Sequence, residues 1–69
     1  MDFNLRENDE FIKLGQLLKA CNLVSSGVEA KIFINDGLVK VNNETCSMRG
    51  KKIYRGDKVL FNDKEVNVI

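Results

Sequence analysis

The chain has no histidine and only two cysteines, Cys21 and Cys46, so the usual four-ligand zinc spacings and any disulfide framework beyond one bridge are excluded. It also lacks a Gly-x-Ser-x-Gly elbow and a glycine-rich phosphate loop. Nucleophilic and metal chemistry therefore miss their usual parts, and Glu7, Asp9 and Glu10 cluster in a polar break that reads as a solvated loop. The expected role is a non-catalytic binding module with no cofactor and no metal. There is no apolar run near ~20 residues and no secretory leader pattern, which points to a soluble, cytoplasmic protein without a membrane partner. In that reducing setting both thiols are expected to be free, with Cys21 a small apolar filler on a helix. At 69 residues the sequence reads as one small domain over residues 1–69. A core of that size supplies roughly 3–5 kcal/mol, so stability has to come from compact packing.

Charge is scarce in net terms and uneven in distribution. The formal net charge is +1. Met1 to Ala30 carries three basic and five acidic residues, whereas Lys31 to Lys58 carries seven basic and three acidic. The middle of the chain is thus either a basic face for an anionic partner or a solvated lysine-rich surface.

The most legible stretch runs from Ser25 to Asn43. Ser25 or Ser26 is placed to cap a helix, with Glu29 at capping-box spacing, and Gly37 follows the last apolar helical residue, where a left-handed residue is wanted. The helix from Ser26 to about Asp36 carries Ala30, Phe33 and Ile34 on one face and Val28 and Ile32 on another, so it is expected to be covered on two sides. The period then changes to two, with Val39 and Val41 on one face of a strand and Leu38 and Lys40 on the other. Asn42-Asn43 predicts a tight turn.

On the amino-terminal side, Phe3 and Leu5 alternate with polar residues in an edge-strand pattern, and Phe11 and Ile12 read as extended. Leu14, Leu17, Leu18 and Cys21 then share one face of a helix of about two turns that ends near Asn22. Gly15 inside that helix suggests close packing or a near-terminal position. After Asn43 the pattern is all β: a basic loop Arg49-Gly50-Lys51-Lys52, an apolar pair Ile53-Tyr54, a turn at Arg55-Gly56-Asp57, a strand from Lys58 to Phe61, a turn at Asn62-Asp63 and a closing strand from Glu65 to Ile69. The expected fold is α+β, with two packed helices against a small, mostly antiparallel sheet of short strands, three to four of which follow the helices.

The order Leu14-Gly15-Gln16-Leu17-Leu18-Lys19, Ser26-Gly27-Val28-Glu29-Ala30-Lys31, Gly37-Leu38-Val39-Lys40-Val41-Asn42-Asn43 and Arg49-Gly50-Lys51-Lys52 with Gly56-Asp57 resembles the RNA-binding domain named after ribosomal protein S-four, the alpha-L motif. The similarity covers residues 14–61. Within the family it is similar to the short bacterial branch labelled YaaA-like or YbcJ-like. The resemblance implies a basic surface for structured RNA, possibly ribosomal, built from Ser26 and Lys31 on the second helix, Lys40 and Asn42 on the strand and turn, and Arg49, Lys51 and Lys52 on the basic loop. Family members commonly carry a Ser-Arg pair at the start of the second helix; here Gly27 stands at the arginine position, and Lys31 and the Arg49 to Lys52 loop are the candidates to supply that charge.

The physical chemistry is consistent with that expectation. Duplex RNA is recognised by shape, phosphates and 2′-hydroxyls, which calls for a preformed cationic surface. A helix N-terminus adds free N–H groups, so Gly27 is either a point of close phosphate approach or a helix-packing residue. Tyr54 and Phe33 have rings that can stack on bases, but an apolar strand and a helix face make them core candidates. The partners expected are structured RNA for a monomeric chain or, as the alternative, a larger protein docked on the same fold.

Overall fold

The computed structural model describes residues 1–69. Two strands, β1 (Asp2–Phe3) and β2 (Phe11–Lys13), precede the helices α1 (Leu14–Ala20) and α2 (Gly27–Asn35). Five strands follow: β3 (Val39–Val41), β4 (Glu44–Thr45), β5 (Lys52–Tyr54), β6 (Lys58–Phe61) and β7 (Lys64–Val68). The main sheet has the order β1-β7-β6-β3-β4, antiparallel except for β1, which runs parallel to β7 at the edge. β2 and β5 form a separate antiparallel ribbon. The sequence pattern predicts one sheet with three to four strands after the helices; there are five because β4 adds a short edge and β5 leaves the main sheet to pair with β2. Lys52, expected in a loop, is the first residue of β5.

Local chemistry accounts for the boundaries. Ser26 is the N-cap of α2, its Oγ accepting from the Glu29 N–H at 3.2 Å. The Glu29 carboxylate reaches back one residue further than in the usual capping box, to the Ser25 N–H at 3.2 Å and the Ser25 hydroxyl at 3.0 Å. At the other end Gly37 has φ +77°. Its N–H donates to the Ile34 carbonyl at 3.1 Å and the Leu38 N–H to the Phe33 carbonyl at 3.2 Å, the paired bonds of a Schellman stop. Asn42-Asn43 and Asn62-Asp63 all have positive φ and close the β3–β4 and β6–β7 hairpins, as type I′ turns require.

The core joins Leu14, Leu17 and Leu18 of α1, Ala30 and Ile34 of α2, and alternate residues of the main sheet, Val39, Val59, Phe61, Val66 and Val68 among them, to Ile53 of the ribbon. Phe33 completes the contact of α2 with the sheet, its ring centroid 5.3 Å from that of Phe61. The second apolar face of α2 is not covered: Val28 is 69 % and Ile32 52 % exposed. So short a chain packs α2 on α1 and the sheet and has no third layer for the opposite side. Tyr54 also departs from expectation, lying 45 % exposed on the outer side of the ribbon. No helix is long and apolar enough to cross a membrane.

Two outcomes follow from these features. Gly37→Val is expected to lose roughly 1–3 kcal/mol, because the +77° φ rather than crowding excludes a β-branched residue. Urea melts of variant and parent measure it, and coincident curves would remove Gly37 as the stop. Both thiols are free, and burial pushes the Cys21 thiol above its ordinary pKa, with the amino-terminal charge opposing that rise. Cys21 is therefore expected to react with a thiol reagent more slowly in the native than in the unfolded chain near neutral pH, while both cysteines label in denaturant without reductant.

Candidate nucleic-acid interface

The site begins with a helix that lacks a side-chain cap. Lys13 precedes α1 and contributes no capping hydrogen bond. The first free N–H groups of the helix instead donate to the backbone of the basic loop, Leu14 to the Lys51 carbonyl and Gly15 to the Arg49 carbonyl, both at 2.9 Å. A Cβ on Gly15 would sit 3.6 Å from Arg49, an ordinary contact, so the near-terminal position rather than space accounts for that glycine. The docking brings Lys13 and Lys19 beside Arg49. Together with Gly27 at the start of α2 and with Gly50, these residues line a shallow groove. Nothing lies within 4 Å of where a Gly27 Cβ would be, which removes the helix-packing explanation, while the Ser26 hydroxyl and the Glu29 carboxylate already engage the start of α2.

A second groove is lined by Asn42, Lys51, Lys52, Tyr54 and the segment around Cys46 and Met48, and the carboxylate residues Glu44 and Asp57 line it too. The residues expected to form one surface thus divide. Gly27 and Arg49 line the first groove, while Asn42, Lys51 and Lys52 line the second. Lys31 on α2 and Lys40 on β3 are exposed but border neither, and Ser26 is engaged as the cap. Asn42 is also engaged: its side-chain amide donates to Asp57 Oδ1 at 3.1 Å and its carbonyl accepts from the Lys58 N–H at 3.0 Å.

Electrostatically the interface is nearly free of internal neutralisation. Of the eleven lysines and arginines only Lys58 has a carboxylate partner, Glu65 at 3.8 Å. Arg55 is occupied differently, its guanidinium donating to the carbonyls of Asp9 at 2.9 Å, Leu5 at 3.3 Å and Arg6 at 2.7 Å, which ties the loop before β2 to the turn after β5. Lys13 and Lys19, which line the first groove, lie in the acidic first third of the chain and are not among the residues the sequence points to. The detectable signal was the alternation Phe11-Ile12-Lys13 against Lys52-Ile53-Tyr54, two three-residue strands with matching apolar centres. No group of three or more histidine, cysteine, aspartate or glutamate residues is placed to hold a metal ion.

Residues 4–69 match the S4 domain family. The chain belongs to the S4 domain family. This S4 domain is similar to the probable ribosome maturation protein RlbA of Bacillus subtilis (strain 168), with 46% identity over 50 residues, 72% of this chain and 70% of that protein. It is also similar to the solution structure of YbcJ from E. coli, described as an alfaL motif involved in RNA-binding, with a TM-score of 0.73 and 34% identity over 99% of this chain and 85% of that one. The two packed helices and mostly antiparallel sheet are those of the alpha-L motif.

Asn42 separates a structural from a binding contribution. Asn42→Ala loses two solvent-exposed hydrogen bonds and puts alanine at a φ of +50°, and is expected to cost about 1–3 kcal/mol. Thermal or urea melts check this, and an unchanged melt would show that the amide is not structural and is available to a ligand.

Proposed function

We propose that this S4 domain is a non-catalytic RNA-binding module that recognises structured RNA, ribosomal RNA being the favoured target, through the groove lined by Lys13, Lys19 and Arg49 and the adjoining Lys51 and Lys52. The observation that carries the reading is the set of unpaired cations Lys13, Lys19 and Arg49 that line one groove with no carboxylate in its lining, with Lys51 in the adjoining loop. Unpaired exposed cations have counter-ions to exchange for phosphates. Family membership, the RNA-binding motif described for YbcJ and the ribosome maturation role given to RlbA support the same reading. A cytoplasmic, monomeric protein would suit that role.

The exposed Val28 and Ile32 favour a second reading, in which α2 docks on a protein partner. Charge reversal discriminates between the two. Lys13, Arg49 and Lys51 are exposed and make no side-chain hydrogen bond or ion pair within the protein. Converting all three to Glu is expected to remove most affinity for a structured RNA and to lower the salt slope by about 1 per contact. Each exposed change is expected to shift stability by no more than about 0.5 kcal/mol. The parent is expected to prefer an RNA duplex to a DNA duplex of equal length, since a surface shaped for A-form geometry distinguishes them and a merely basic patch does not. A folded triple variant that binds RNA as tightly as the parent would sink this reading and favour the protein partner.

A further inference from the structure

In the β2–β5 ribbon Phe11 pairs with Tyr54, Ile12 with Ile53 and Lys13 with Lys52. Side chains alternate along a strand, so Phe11, Lys13, Lys52 and Tyr54 share one face while Ile12 and Ile53 share the other. The isoleucine face is the core side: Ile53 is fully buried and Ile12 packs against the core. On the outer face the Phe11 and Tyr54 ring centroids are 5.9 Å apart at an interplanar angle of 53°. The Lys52 ammonium sits 5.0 Å from the Phe11 centroid, so Phe11 is half-buried beneath a cation and braces its neighbour. Tyr54 is the ring left open to solvent.

A cross-strand aromatic pair on its own needs no function, because such pairs stabilise a ribbon. The lysines directly opposite each other do not fit that account. Like charges facing across a strand pair are destabilising, and neither Lys13 nor Lys52 has a carboxylate within 4 Å. The ribbon therefore presents two lysines without a carboxylate partner on one face, next to an exposed ring, with the Asp57 carboxylate held by the Tyr54 N–H at 2.8 Å. It also joins the two grooves, Lys13 lining the one with Arg49 and Lys52 and Tyr54 lining the one with Lys51.

We propose that the outer face of the β2–β5 ribbon is a stacking platform for one unpaired base of the bound RNA, with Tyr54 under the base and Lys13 and Lys52 on the flanking phosphates. This rests on the RNA-binding reading above and adds the class of element recognised: a bulged or looped-out nucleotide beside a stem. Phosphate contacts position the backbone without regard to sequence, and the ring accepts any base with a π-face.

Tyr54 is the single tyrosine and the chain has no tryptophan, so intrinsic emission reports this ring alone. The probes are three RNA stem-loops of equal length: one with a single bulged adenosine, one with an abasic site at the bulge and one fully paired in the stem. The bulged adenosine is expected to quench Tyr54 emission and to bind about five-fold or more tightly than the abasic form. Tyr54→Leu is expected to bind the abasic RNA like the parent and to lose the preference for the base. Equal quenching and equal affinity of the parent for adenosine and abasic bulges would overturn the platform, without any dependence on how the variant folds. A folded Tyr54→Leu protein that keeps the full preference would overturn it as well. A parent that binds none of the three RNAs overturns the RNA-binding reading and the platform together, whereas binding without base preference overturns the platform alone.

Discussion

The first N–H groups of α1 have to find acceptors, and this constraint organises the surface. A helix start leaves backbone donors without intrahelical partners, and Lys13 cannot supply the side-chain oxygen that serine or aspartate would. The carbonyls of Arg49 and Lys51 take that place. Since these carbonyls belong to the loop leading into β5, the same contact sets β5 against β2 and withdraws it from the main sheet. These backbone bonds continue the ribbon into the helix start and bring the cations of two distant segments together. A serine at position 13 would cap the helix from within and weaken its dependence on the loop.

Much of the frame was legible in the sequence because its signals are local. Ser26 as cap depends on a side-chain oxygen, Gly37 as stop and the asparagine turns on a positive φ that few residue types adopt, and each lies where the pattern puts it. The edge position of Phe3 and the inward faces of Val39, Val41, Val66 and Val68 follow from alternation alone. What was not legible depends on tertiary pairing. The surface that the family resemblance implies omits Lys13 and Lys19, which lie in an acidic segment of the chain, although the ribbon sets Lys13 opposite Lys52. Apolar residues were assigned to the core on type, which holds for Phe33 but fails for Val28, Ile32 and Tyr54, because a chain this small cannot cover every apolar face its elements offer.

The separation of structural from exposed polar groups has a functional consequence. No polar or charged side chain is buried, so the core holds the fold together without ion pairs. Polar side chains that do serve the fold lie at the surface: Ser26 and Glu29 fix the start of α2, Asn42 bridges to Asp57 and Lys58, and Arg55 holds the carbonyls of the Leu5 to Asp9 loop. The lysines and arginine of the grooves are left with neither duty. A charge with no internal partner contributes little to stability, yet it retains a counter-ion that a phosphate can displace.

The ribbon extends this division of labour to a single element. Its inner face, Ile12 and Ile53, belongs to the core and fixes the register; its outer face receives the aromatic and cationic residues that the core has no room for. A one-residue slip would exchange the two faces, burying Lys13 and Lys52 and exposing both isoleucines, so hydrophobic burial within also enforces the arrangement outside. The isoleucine pair is therefore what sets the two lysines opposite each other on the outer face. The free energy of core packing is in this way converted into a local excess of positive charge beside an open ring, positioned before any ligand arrives.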